Sequence, residues 1–166
     1  LCELSQQTYQ NIKRYAQALR PSILDDLGLV AAIKWLAQET HNLSGIDIEV
    51  NTDILPPLSP EAQLVLFRIV QQALNNIYRH SEASEATVTM QRQGDEIRVI
   101  ITDDGKGFRL PQQLSEFASQ GKLGLTGMAE RVQLIGGKLE VSSQEGKGTT
   151  IVVTVPKELH IGSNST

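Results

Sequence analysis

The stretch Ile97-Arg98-Val99-Ile100-Ile101-Thr102-Asp103-Asp104-Gly105-Lys106-Gly107-Phe108 runs from a β-branched, apolar segment straight into a glycine turn. It predicts a strand over Glu96–Asp103 that puts a carboxylate at the sheet's end, where the strand stops. The two glycines permit a sharp turn and the close approach of a flat ligand to the backbone. A carboxylate there can accept a hydrogen bond from an exocyclic amine such as that of adenine. Taken alone, the pattern fits a plain glycine turn with a helper aspartate equally well.

Working outward, Gly94-Asp95 forms a hairpin turn that joins this strand to another over Ala86–Arg92. Before the hairpin, Ser59 is placed as N-cap and Pro60 in the first turn of a helix reaching about His80. Leu66, Ile69, Val70, Ala73, Leu74 and Ile77 give that helix a wide buried stripe. Ile46, Ile48 and Val50 alternate with polar residues, which predicts a half-buried strand. A further helix runs to about Leu43, with Asp25 or Asp26 as its cap and Gly45 as its stop. A first helix covers Cys2–Leu19 and ends at Pro21. Its seam of Cys2, Tyr9, Ile12, Ala16 and Leu19 suits either packing on its own domain or a dimer contact.

Downstream, residues 104–122 form a long polar loop, and Leu125–Ile135 a short helix closed by Gly136-Gly137. Strands over Lys138–Ser143 and Thr149–Val155 follow, and then a polar tail. The outline is a two-layer α/β sandwich. A mixed, mostly antiparallel sheet carries helices on one face, behind a helical leader. The expected divisions are a leader at 1–43, a sandwich domain at 46–157 and a tail at 158–166.

Composition narrows the function classes. Of 166 residues, 40% are hydrophobic, enough for a real core. Lys plus Arg number 15 against 19 acids, a net charge of −4 that argues against a broadly basic nucleic-acid surface. The single cysteine, Cys2, excludes a disulfide framework and fits a reducing, cytoplasmic compartment. No apolar run reaches the length of a membrane span. The chain opens on Leu1 and reads as a piece of a longer protein, so membrane contact is expected only through segments upstream.

Two more blocks carry chemistry. Gln72, Asn76 and His80 are spaced by four and climb one border of the long helix, with Arg79 beside them. Amide, imidazole and guanidinium groups there could face a polyanion with a metal ion, or be an ordinary solvated face. Leu123-Gly124-Leu125-Thr126-Gly127-Met128 opens the short helix, where glycines leave backbone N–H groups open to phosphate. Taken alone, it is read first as a plain flexible loop with a helix cap.

Together, in this order and spacing, the three blocks resemble the ATP-binding domain of sensor histidine kinases. That group sits within the wider GHKL ATPases with their Bergerat-type fold. Gln72–His80 matches the family's N box, Asp103–Phe108 its first glycine box and Gly124–Met128 the later one. Gly146-Lys147-Gly148-Thr149 and the strand ending in Pro156 also match. The segment Leu19–Leu29 is similar to the one that follows the phosphoacceptor helix in the NarL-partner class, where two helical hairpins build a four-helix dimer.

The resemblance implies ATP and Mg²⁺ as cofactors, with Asn76 holding the metal and Arg79 and His80 near the phosphates. It implies Asp103 reading the adenine amine, with Gly105 and Gly107 shaping that wall and Thr149 supporting the base. Gly124, Leu125 and Gly127 would flank the phosphates under a mobile lid at 109–122. It also implies a homodimer in the full-length protein and a response regulator as partner. The γ-phosphoryl of ATP would pass to a histidine upstream of Leu1.

Two departures stand out. The family has a catalytic glutamate where Gln72 stands, and an amide cannot accept a proton as a carboxylate does. No histidine here fits the phosphoacceptor: His41 precedes Asn42, His80 lies in the N box and His160 in the tail. A nucleotide-binding module without catalysis is therefore the alternative, and a GHKL protein-serine kinase a third reading that Leu19–Leu29 argues against.

Overall fold

A computed structural model describes residues 22–110 and 123–157. The expected helix at Cys2–Leu19, most of the lid and the tail lie outside these residues. The described elements are α1 (Ser22–Ser44), β1 (Asp47–Thr52), α2 (Pro60–Asn76), β2 (Glu85–Gln93), β3 (Glu96–Asp103), α3 (Leu123–Leu134), β4 (Lys138–Ser143) and β5 (Thr149–Pro156).

The strands form one sheet in the order β1-β2-β3-β5-β4. The β1–β2 pair is parallel and the other three pairs are antiparallel. This is the mixed, mostly antiparallel sheet expected from the sequence. Alternation along the central strands sorts the residues by face. Val88 and Met90, Ile97, Val99 and Ile101, and Val153 and Val155 are buried with the helices over them. The helices contribute Phe67, Leu66, Ile69 and Val70 from α2 and Met128 and Val132 from α3 to the same core.

At the edges, β1 exposes Asp47 and Glu49, while β4 carries Lys138 paired with Glu140 at 2.8 Å. Ser59 caps α2 as expected: its hydroxyl accepts from the Ala62 N–H at 3.1 Å. Such a cap contributes about 1 kcal/mol.

Two boundaries differ from expectation. Helix α1 spans Ser22–Ser44, so Asp25 and Asp26 lie inside it and neither is its cap. The reason lies at Gly28, which breaks the helix with φ 80° and ψ 175°. Leu29, Ala32, Ile33, Leu36 and Ala37 follow helical spacing and are all buried. Carried back without a break, that stripe would fall on Asp25 and Asp26. The glycine resets the phase, so Leu24 is buried and both aspartates are exposed. The short helix also starts earlier than expected, at Leu123.

The long helix stops being α-helical at Asn76 and continues as a π-turn, Ile77–Ser81. Glu82 follows with a left-handed backbone, φ 55°. The wider turn accommodates an extra residue, a local arrangement that recurs at functional sites. The even four-residue climb expected from Gln72 through Asn76 to His80 therefore holds only as far as Asn76.

Gly28 adopts a backbone that L-residues avoid, and a methyl group there would meet nothing within 4 Å. Gly28→Ala should therefore destabilise the chain by about 1–3 kcal/mol through backbone strain alone. Chemical denaturation of the two forms measures this, and equal midpoints would show that the break is not required.

Candidate functional site

A cleft of about 610 Å³ opens where the end of α2, the end of β3, the start of β5 and the start of α3 converge. A larger hollow of about 700 Å³ lies between α1 and the β1 edge, but it is lined by none of the predicted site residues. The chemistry therefore selects the smaller cleft. It brings together Gln72, Asn76, Arg79, His80, Asp103, Gly107, Gly124, Leu125 and Thr149. Gly105 and Gly127 do not line it. Gly105 is packed behind the wall, and Gly127 lies further along α3 with open space where a side chain would start.

The inner wall comes from strand pairing. Asp103 stands opposite Thr149, and Ile101 opposite Ile151. Alternation places both pairs on the helix-facing side, so a carboxylate–hydroxyl rung sits directly beside an apolar one. Asp103 is only 5% exposed. Its Oδ1 accepts from the Gly105 N–H at 2.9 Å. Burial pushes its carboxyl pKa above the usual range, against the lowering effect of the Gly105 N–H; Asp104 adds to the rise, and the Thr149 N–H opposes it.

The turn beyond Asp103 is held on both sides. The Lys106 N–H donates to the Ser81 carbonyl at 2.7 Å, which ties the turn to the π-turn. A Cβ on Gly105 would come within 2.3 Å of that same carbonyl oxygen. On the other side, the Gly146 N–H donates to the Lys106 carbonyl at 2.7 Å. Gly107, with φ 59°, would place a Cβ 2.1 Å from the Gln144 carbonyl oxygen. Gly148, with φ 76°, would place one 1.9 Å from the Asp103 carbonyl oxygen. Only glycine permits these approaches.

Several participants were not singled out from the sequence. The Ser143 hydroxyl lies 2.9 Å from the Thr149 hydroxyl and accepts from the Phe108 N–H at 2.9 Å, so it links β4, β5 and the glycine turn. The Asp104 carboxylate accepts from the Ser84 hydroxyl and from the Ser84 and Glu85 N–H groups, fixing the start of β2. These hydrogen bonds hold its pKa below the usual range. Ile101 and Ile151 were legible from alternation, since each lies two residues from a predicted site residue on the same face.

The outer wall belongs to α2 and α3. Gln72 Nε2 donates to Asn76 Oδ1 at 3.1 Å. A Cβ on Gly124 would stand 3.0 Å from that Gln72 nitrogen and 3.9 Å from Asn76 Nδ2. Arg79 and His80 are exposed at the rim, and Arg79 Nε donates to Asn75 Oδ1 at 3.1 Å. Lys106 pairs with Glu82 at 2.6 Å. The cleft thus combines a buried acceptor, Asp103, with exposed cations, Arg79 and the Glu82-paired Lys106. That combination suits a ligand with both an amine and phosphates.

The profile of the histidine kinase-, DNA gyrase B- and HSP90-like ATPases matches residues 61–159. The chain belongs to this ATPase family. Among curated relatives it is 41% identical to the sensor histidine kinase LiaS of Bacillus subtilis, over 83% of this chain and 37% of that protein. It is 38% identical to the signal transduction histidine-protein kinase/phosphatase UhpB of Salmonella typhimurium, over 93% of this chain and 30% of that protein. The ATPase-family chain thus spans about a third of the length of these relatives. The histidine kinase domain of the blue-light activated kinase of Erythrobacter litoralis superposes with a TM-score of 0.62. It shares 24% identity over 78% of this chain and 61% of that chain, a likeness of fold. Among the described residues, no helix is long and apolar enough to cross a membrane.

The raised Asp103 pKa carries a sign. In the folded ATPase domain burial shifts Asp103 toward its protonated form relative to the unfolded chain, so its ionisation counts against stability as pH rises through the folded value. Asp103→Asn keeps an acceptor for the Gly105 N–H and removes the charge. It should match or exceed the parent in thermal stability at pH 7, and the advantage should shrink as pH falls and the parent protonates. A variant that is markedly less stable at every pH would contradict this assignment.

Proposed function

We propose that this ATPase domain binds ATP with Mg²⁺ as the catalytic part of a cytoplasmic sensor histidine kinase, one that works as a homodimer. The γ-phosphoryl would pass to a histidine upstream of Leu1 and then to an aspartate on a response regulator. The observation that carries the reading is the buried Asp103 carboxylate beside the Ile101–Ile151 rung. A buried acceptor next to an apolar wall fits the amine edge and flat face of adenine.

The remaining roles follow from position. Gly107 leaves the turn open beside the base, Gly105 lets that turn pack on Ser81, and Thr149 supports the base from the facing strand. Arg79, His80 and Lys106 meet the phosphates. Gly124, Leu125 and Gly127 belong to the first turns of α3, where Gly124 brings free N–H groups to the phosphates. Asn76 lines the same space and is the residue that would hold a cation taking its other ligands from phosphate and water, although its Oδ1 already accepts from Gln72 Nε2. That cation would neutralise charge on the β- and γ-phosphates. Within the chain, residues 1–43 would hold the second half of a dimerisation hairpin and the link to the 46–157 domain, followed by the 158–166 tail.

The test is ATP titration of the isolated chain. Asp103→Ala should weaken binding by about 1–3 kcal/mol, since it leaves the amine without its acceptor. Asp103→Asn should weaken ATP relative to GTP. Unchanged ATP affinity in Asp103→Ala would remove Asp103 from the base site.

Gln72 favours a second reading, nucleotide binding without phosphoryl transfer, because its amide cannot act as a proton acceptor near neutral pH. A positioned base contributes about 10²–10⁴-fold in rate. In a chain extended upstream to include the acceptor histidine, Gln72→Glu should raise histidine phosphorylation at least about tenfold. Equal rates would show that this position is not the base. Inactivity of both forms would favour the non-catalytic reading.

A further inference from the structure

We infer that Gln72 is a positioning residue that competes with the cation for Asn76, making nucleotide binding here unusually independent of Mg²⁺. The inference rests on the proposed ATP site and concerns how that site responds to metal. Gln72 lies one helical turn before Asn76 on α2, and its Nε2–H₂ donates to Asn76 Oδ1 at 3.1 Å. That oxygen is the atom Asn76 would offer a cation. The two groups of an amide lie on different sides of its carbon, so a bond that turns the oxygen toward residue 72 also directs Nδ2 away from it. Asn76 is thereby held as a hydrogen-bond donor, suited to a phosphate oxygen.

Gly124 makes the arrangement possible. A Cβ there would stand 3.0 Å from Gln72 Nε2, closer than side chains ordinarily tolerate. The absence of that atom leaves room for the Gln72 amide between Asn76 and the first turn of α3. A carboxylate at position 72 has no proton to donate near neutral pH. It would instead accept from Asn76 Nδ2 and turn the Asn76 oxygen the other way. The donation from Gln72 Nε2, which a carboxylate cannot make, is what leaves the Asn76 nitrogen as the free end.

The charged lining points the same way. Arg79 and Lys106 share the cleft with Asp103, which is deep in the wall and already hydrogen-bonded to Gly105. Lys106 is already paired with Glu82, but Arg79, whose Nε bonds only the neutral Asn75 amide oxygen, attracts phosphate without metal and repels a free divalent ion.

The measurement is the dissociation constant of ATP in EDTA divided by that in Mg²⁺, by calorimetry on this chain. Mn²⁺ electron paramagnetic resonance of the ternary mixture supplies an independent readout. In the parent the ratio should be close to one. Gln72→Leu removes the donor without adding charge and should raise the ratio about threefold to tenfold, the value of one net hydrogen bond. Gln72→Glu should raise it further. Gln72→Ala provides a smaller second test, and circular dichroism confirms that each variant is folded. A parent ratio already large, or a ratio unchanged in both Gln72→Leu and Gln72→Ala, overturns the inference. So does an increase confined to Gln72→Glu, which would be an effect of charge alone. Failure of the parent to bind ATP in either buffer would instead sink the proposed function on which the inference rests.

Discussion

The end of β3 lies against the turn before β5 more closely than side chains allow. Gly148 approaches the Asp103 carbonyl, and Gly105 and Gly107 lie against Ser81 and the Gln144 carbonyl. This three-way contact is the constraint on which the cleft depends. It fixes the direction of the Asp103 side chain by supplying N–H groups from Gly105 and Thr149. It also joins the π-turn of α2 to the sheet. A burial that raises the Asp103 pKa is tolerated because those donors partly offset the desolvation. The site thus gives up some stability to keep a carboxylate where a ligand can use it, a familiar relation between binding sites and the folds that carry them.

Legibility in the sequence followed physical type. Strands β2, β3 and β5 were readable because one face is buried and the other is not, which imposes a period of two. The cap of α2 was readable because Ser59-Pro60 is a local signal whose hydrogen bond lies within three residues. Asp103, Asn76 and Gly124 were readable as members of three ordered blocks, although none was decisive alone. Phase and long-range contact were harder. Gly28 sits in a stretch of helical spacing, and its effect showed only when the buried stripe was compared on either side of it.

The π-turn was hidden for a related reason. Its hydrogen bonds lie within a helix whose residues have ordinary helical propensity, and its support comes from Ser81 and the distant Lys106 N–H. Ser143 was missed because its partners come from two other segments, Phe108 from one and Gly148 and Thr149 from the other. No local pattern encodes a hydroxyl that closes such a junction. Gln72 shows the reverse case. The sequence exposed the departure from a carboxylate, while only the geometry gave the amide a partner.

Among the described residues, the open sheet leaves the outer edges of β1 and β4 without a neighbouring strand, and the residues on those strands bear on how the protein behaves in a crowded solution. The β1 strand exposes Asp47 and Glu49, and β4 carries the Lys138–Glu140 pair. Two copies that met edge to edge would have to bring these charges together or strip them of water. Charged edges of this kind discourage strand-by-strand growth into larger aggregates. A sheet that must stay open at one end to admit a ligand is thus kept from recruiting another sheet at its sides.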